Sequence, residues 1–239
     1  MSIDYKNEWI DYQTSISKLI IKHDELPEEY WLIGGLDISF HKFIKDKACG
    51  YITIYDLKNK KIVYEDHELI ELTIPYESGF LGFREIPVYK KLLDRLKNDN
   101  PNLYPHIIMI DGFGILHPRG VGSASQLGYE LNIPTIGIGK TLLCLDGLNE
   151  KNVKSKFKFE CKKQGDYILL QGISGIEYGA ALYSSKKEIK SINDVCNPIY
   201  ITIGHKISLI TAIKIVLECS NFRIPEPIRN SDIKSKLYF

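Results

Sequence analysis

The chain has 239 residues, of which 44% are hydrophobic and 26% charged, with a formal net charge of +1. That is ordinary globular composition, large enough to bury a core without disulfides, and a net charge near zero neither supports nor excludes a nucleic-acid partner, which needs only a local basic surface. Its five cysteines (Cys49, Cys144, Cys161, Cys196 and Cys219) form no C-x-x-C, which argues against a disulfide framework or a structural zinc site and for free thiols in a reducing compartment. The polar start MSIDYKNEWIDYQ is not a signal peptide, and no apolar run is long enough to span a membrane. The expectation is a soluble cytoplasmic or nuclear protein.

In chain order, residues Asn7 to Leu26 read as a helix, with Trp9, Ile16, Leu19 and Ile20 near helical spacing. Leu32 to Phe40 reads as a buried strand. Cys49 to Leu57 and Lys61 to Leu72 read as two more, alternating and joined by a turn at Asn59-Lys60, so the first three strands form an antiparallel meander. Pro75-Tyr76-Glu77-Ser78-Gly79 is a loop signal, and Phe83 to Asn98 follows as a helix stopped by Pro101 and Pro105. His106 to Ile110 is a short apolar strand parallel to the first, Gly122 to Leu131 a helix, and Pro134 to Ile138 another buried strand. Strands at Tyr167 to Leu170, Tyr178 to Tyr183 and Ile199 to Ile203 come next, then a helix from Leu209 to Cys219. The proline-bearing tail from Arg223 receives no element. This order predicts a single α/β domain over 1–239, with a mixed sheet flanked by helices on both faces, in the order of ribonuclease H-like folds.

Asp37 interrupts the apolar run W-L-I-G-G-L-D-I-S-F. A carboxylate buried in a strand needs a neutralising partner, either a basic side chain or a cation. Asp111 ends the strand H-I-I-M-I and opens D-G-F-G, at a strand end where α/β sheets place their sites; capping a turn is the plainer role. If the two strands are neighbours, their carboxylates face one point and require a cation or a shared proton, and hard oxygen donors favour Mg²⁺ or Mn²⁺. Glu85, near the start of a helix, either complements the helix dipole or swings onto that cation as a third carboxylate.

His205, after I-T-I-G, is either a helix-entry residue or a proton-transfer group. Lys140 ends G-I-G-K. Pro134 stands where a P-loop needs glycine, so that reading fails, but a lysine past a strand end can still pair with phosphate. The Gly- and Ser-rich segment from His117 to Gly128 leads into a helix and serves either as an anion- or base-contacting loop, with His117 among the contacts, or as an ordinary connection.

Five strings occur in order: G-G-L-D-I-S-F, P-Y-E-S-G-F-L-G-F-R-E-I-P, I-D-G-F-G-I-L-H-P-R-G-V-G-S-A-S-Q-L-G, I-P-T-I-G-I-G-K and I-T-I-G-H-K-I-S-L. Together they resemble the endonuclease V family over about residues 30 to 235. The resemblance implies a ribonuclease H-like fold and a Mg²⁺-dependent nuclease, with Mn²⁺ able to substitute, that cuts the second phosphodiester bond 3′ to inosine. It implies Asp37 and Asp111 as metal ligands and Glu85 as the third acidic residue. Lys140 and His205 match the active-site lysine and histidine. Tyr76 matches a wedge beside the modified base, and Leu81, Gly112 and Gly122 match the wall around an extruded hypoxanthine.

The form P-Y-x-S-G-F and the ending R-I-P-E-P-I-R-N-S-D-I-K-S are similar to the eukaryotic branch, which favours inosine in RNA. Glu77 beside the wedge is unfavourable near phosphates. Phe113 stands where the family usually has a polar residue, and either stacks on a base or packs in the core. The expected partner is thus inosine-containing RNA, with deoxyinosine-containing DNA as the alternative. A non-cutting inosine reader is the remote one, because it would have no use for the acidic set.

Overall fold

The computed structural model describes residues 4–44, 46–187 and 197–239. Its centre is one eight-stranded sheet in the order β3-β2-β1-β4-β5-β8-β7-β6. The strands are β1 (Leu32–Phe40), β2 (Lys47–Asp56), β3 (Lys61–Glu71), β4 (Ile107–Asp111), β5 (Thr135–Gly139), β6 (Tyr167–Gln171), β7 (Glu177–Leu182) and β8 (Ile199–His205). The first three form the expected antiparallel meander, and β1, β4 and β5 run parallel to one another. Strand β8 returns antiparallel to β5.

Six α-helices accompany the sheet: α1 (Asp4–Ser17), α2 (Leu81–Asp99), α3 (Ser123–Leu131), α4 (Glu150–Glu160), α5 (Leu209–Glu218) and α6 (Glu226–Ser235). The apolar residues of β1 and β4 alternate between two cores. Leu32, Leu36, Ile108 and Ile110 pack with Leu92, Leu93 and Leu96 of α2, and Ile33, Ile107 and Met109 belong to the core of α5 and α6. A period of two on both faces explains why these strands are apolar almost throughout. A third cluster joins Phe157 of α4 to β6, β7 and β8.

Three elements depart from the sequence reading. Helix α1 stops at Ser17 rather than Leu26, and the segment beyond it is held instead by β8: the Ile21 N–H donates to His205 Nδ1 and the Lys206 N–H to Ile21 O. Helix α4 escapes an apolar pattern because Phe157 is its one fully buried side chain. Helix α6 lies in the tail to which no element was assigned.

Helix α6 reaches the sheet through small polar residues. Ser231 donates to Gly35 O at 3.0 Å and lies 2.8 Å from Thr53 Oγ1, and Ser235 lies 2.7 Å from Ser39 Oγ. A side chain at Gly35 would come within 2.3 Å of the Pro227 backbone, so glycine there is a condition of the close approach. Cys49 and Cys219 are buried free thiols, Cys161 is buried, Cys144 is exposed, and Cys196 lies outside the described residues. Among the described residues no helix is long and apolar enough to cross a membrane.

Candidate active site

Parallel strands β1 and β4 are direct neighbours, with Leu36 opposite Ile110. The next residue on β4 is Asp111, and Asp37 follows Leu36 on β1. Both therefore emerge at one edge of the sheet and on the face covered by α6. That helix adds Asp232, and carboxylate oxygens of Asp37, Asp111 and Asp232 all lie within 4.8 Å of one another. Lys140, one residue past β5, places its Nζ 2.5 Å from Asp111 Oδ2 and 2.5 Å from Asp232 Oδ1. Lys236 adds a second cation 2.8 Å from Asp232 Oδ2.

The electrostatics follow from this crowding. Burial, then the Asp111 charge, pushes the Asp37 carboxyl well above the usual range. Burial alone would raise Asp232, but hydrogen bonds from Lys140 and Lys236 bring it below its ordinary value. Burial alone would lower Lys140, and Asp111 and Asp232 more than reverse it. Three hard oxygen donors on one small, partly buried point fit a divalent cation of the Mg²⁺ or Mn²⁺ type better than zinc.

Glu85 was the expected third carboxylate of this group. It lies in the first turns of α2, outside the group of three, whose third member is Asp232. Glu85 is close enough for the Asp111 charge to act on it. Burial first, and Asp111 second, push its carboxyl up to about 8. Asp232 is the residue that sequence reading missed. Its string R-N-S-D-I-K-S was visible, but a helix that docks through serines carries no apolar stripe to reveal which side faces the sheet.

His205 is not at this centre. In the β5–β8 ladder it pairs with Thr135, at the opposite end of β5 from Lys140. Five strand residues separate the two levels, roughly 16 Å. The expectation rested on the place of His205 after I-T-I-G and on its match to the family's active-site histidine, but β8 runs antiparallel to β5, so its end lies at the other edge. The ring is 3% exposed, accepts the Ile21 N–H at 3.2 Å and meets Tyr129 edge-on. Burial, then Lys206, lowers its pKa, so it is a neutral packing residue.

Tyr76 is exposed on a loop that walls a cleft of about 620 Å³ together with Phe40, Pro75 and Arg84. Leu81, half-buried, begins α2 directly after that loop. The loop is braced from behind. Gly79, at φ +80°, offers its carbonyl to Gln13 Nε2 (3.2 Å), His117 Nε2 (3.0 Å) and Arg119 Nη2 (2.7 Å). His117 also accepts the Arg119 N–H on Nδ1, so both ring nitrogens are used within the fold, and burial followed by Arg119 takes its pKa down to about 4. It supports the loop and leaves no ring nitrogen for a substrate.

Glu77, expected to repel phosphates, is paired with Lys6 of α1 at 2.8 Å. Gly112 and Gly122 let the end of β4 close on α3. A side chain at Gly112 would meet Ser123 Oγ at 2.5 Å, and one at Gly122 would meet Phe113 O at 2.3 Å. Phe113 is partly buried and packs against Gly139 and the α4 core.

The family model "Endonuclease V" matches residues 14–233. A Mus musculus endonuclease V is 42% identical over 207 residues, covering 86% of this chain, which spans 59% of that relative's length. The crystal structure of the human endonuclease V catalytic domain superposes with a TM-score of 0.91 at 33% identity, covering 100% of this chain and 97% of that one. A Ciona intestinalis endonuclease V, crystallised with a DNA containing an inosine followed by a ribo-adenosine, gives a TM-score of 0.89 at 32% identity over 98% of both chains. The mixed sheet flanked by helices is the ribonuclease H-like nuclease fold of these relatives, and the chain belongs to the endonuclease V family.

Proposed function

We propose that this chain is an endonuclease that hydrolyses the second phosphodiester bond 3′ to inosine, in RNA in preference to DNA. The observation that carries the reading is the convergence of Asp37, Asp111 and Asp232 within 4.8 Å, next to Lys140. A neighbouring cleft of about 600 Å³ contains all three carboxylates. Asp37, Asp111 and Asp232 would hold a divalent cation, which when bound would supply Lewis-acid polarisation of the scissile phosphate.

The chain's own groups do the rest. Lys140 keeps a fixed ammonium beside two carboxylates, where it stabilises charge that builds on a phosphate oxygen. The braced loop of Tyr76 presents an aromatic ring beside the cleft that would take an extruded base. Preference for RNA is supported by the P-Y-x-S-G-F form shared with the eukaryotic branch. It is supported also by the Ciona complex, whose nucleic acid carries a ribonucleotide directly after the inosine.

The test is digestion of matched RNA and DNA oligomers carrying one inosine, with Mg²⁺ and with EDTA. RNA should be cut faster, one nucleotide beyond the inosine's 3′ neighbouring bond, and EDTA should abolish the product. Equal or faster cutting of DNA would overturn the RNA preference. Binding without any metal-dependent product would overturn the nuclease reading.

A further inference from the structure

The turn between β1 and β2 stands between two clefts. Phe40, His41, Lys42 and Phe43 line both the cleft of Tyr76 and the cleft of the three carboxylates. A strand whose modified base sits by Tyr76 and whose scissile phosphate sits by Asp111 must pass over this turn.

Phe43 projects from it with 90% of its surface exposed. A lone exposed phenylalanine is common on protein surfaces, but this one is held in place. The N–H groups of Phe43 and Ile44 both donate to His41 Nδ1, at 3.0 and 2.8 Å, and the His41 N–H donates to Lys47 O at 2.8 Å. The His41 ring in turn packs edge-on against Phe239, 5.2 Å between centroids. The turn is thus braced by its own backbone and by the far end of the chain, and the Phe43 ring is presented outward. Lys42, beside it, is exposed and has no ion-pair partner among the described residues. An aromatic face next to a free cation is the combination that takes a stacked base and its phosphate.

We propose that Phe43 is a stacking platform for the nucleobase immediately 3′ of the inosine, with Lys42 meeting the adjoining phosphate. This rests on the function proposed above: cutting at the second bond leaves one nucleotide between the two clefts, and its base has to lie on something as the strand turns toward the carboxylates. Stacking is tolerant of base identity, so the platform would add affinity without adding a sequence requirement.

The experiment compares the wild type with Phe43→Ala, Phe43→Leu and Phe43→Trp on two inosine RNA oligomers. One is intact, and the other carries an abasic ribose directly 3′ of the inosine. The wild type should lose about tenfold in kcat/KM on the abasic oligomer, mostly in KM. Phe43→Ala and Phe43→Leu should show that loss already on the intact oligomer and little more on the abasic one. Phe43→Trp should match the wild type. Circular dichroism melts should coincide for all four, because the side chain is exposed. Wild-type KM in Phe43→Ala, full activity in Phe43→Leu, or an undiminished abasic penalty in Phe43→Ala would each overturn the platform. If the wild type makes no inosine-directed product on either oligomer, the underlying nuclease reading has failed, and the platform falls with it. A wild type that cuts both oligomers equally well overturns the platform alone.

Discussion

Lys140 bridges Asp111 and Asp232, with its Nζ 2.5 Å from a carboxylate oxygen of each, so one ammonium ties the end of β4 to helix α6. Without a divalent ion, this ammonium is the main offset to repulsion among three carboxylates. Lys140→Met should therefore lower stability in EDTA by about 1–3 kcal/mol, the cost of leaving partly buried charges without their partner. A divalent ion that binds the native state alone should restore more stability to the variant than it adds to the wild type. Urea unfolding in EDTA and in excess Mg²⁺ measures both; an equal deficit in the two media would show that ammonium and cation do not share a site. Turnover in the same variant should fall by about 10²–10³-fold, the usual cost of losing one group that stabilises transition-state charge.

Glu85 sets a pH dependence of opposite sign to that of most acids. Its carboxyl titrates near 8 in the folded chain, raised first by burial and then by Asp111, against 4.5 for the ordinary group. Between those values the native state holds one more proton than the unfolded state. Stability in EDTA should fall as pH rises from 4.5 to 8 and level off above, by an upper bound of about 5 kcal/mol. His117 works the other way: held near 4 against 6.5, it is neutral where the unfolded ring is charged, so its contribution is lost as pH falls from 6.5 to 4. Glu85→Gln should remove the Glu85 share of the first slope, leaving the share of Asp37, whose carboxyl is also raised by burial and then by Asp111, and should leave the second slope intact. Denaturant midpoints at pH 4, 6.5 and 8.5 check this, and a decline from 6.5 to 8.5 as steep in Glu85→Gln as in the wild type would assign the whole slope to other groups.

Much of the centre was legible because strands announce buried carboxylates clearly. Asp37 in L-I-G-G-L-D-I-S-F and Asp111 after I-I-M-I are polar interruptions in runs that the sheet buries on both faces, and neighbouring parallel strands bring such ends together. The contribution of α6 was not legible. Its contact with β1 and β2 runs through Pro227, Ser231 and Ser235, residues that give no apolar period, and only a glycine at position 35 lets the helix come close. His205 misled for a related reason. A strand's end can be read from sequence, but the edge of the sheet at which it emerges depends on strand direction, and β8 is antiparallel to β5.

The brace behind Tyr76 should govern base selection more than hydrolysis. Gln13 donates to both Gly79 O and Val121 O, and Trp9 stacks on Phe83 at 4.7 Å, so α1 holds the loop from the side away from the cleft. Gln13→Ala removes three hydrogen bonds, those donated to Gly79 O and Val121 O and the one accepted from Arg119 Nε, around a loop in which Gly79 keeps φ at +80°. The preference for inosine over adenosine should shrink about tenfold, the equivalent of roughly 1–1.5 kcal/mol of lost positioning, with kcat on inosine nearly unchanged. Competition between inosine and adenosine oligomers reads this directly. Unaltered selectivity would mean that Tyr76 keeps its position without α1.

Asp232 and His205 make opposite predictions. Asp232→Asn keeps the shape of a side chain at the carboxylate cluster but removes one of its three charges, so turnover should drop by about 10²-fold or more while the melting temperature changes little. His205→Ala does the reverse. It opens space where a ring 3% exposed meets Tyr129, and it removes the acceptor for the Ile21 N–H, so stability should fall by about 2–3 kcal/mol. Well below its melting point the folded variant should cut at close to the wild-type rate, because the ring sits at the other edge of the sheet from Lys140. Paired melts and initial rates separate the two effects. If His205→Ala melts like the wild type but no longer cuts, the chemistry must reach the far edge of the sheet, and Asp37, Asp111 and Asp232 cannot be its whole site.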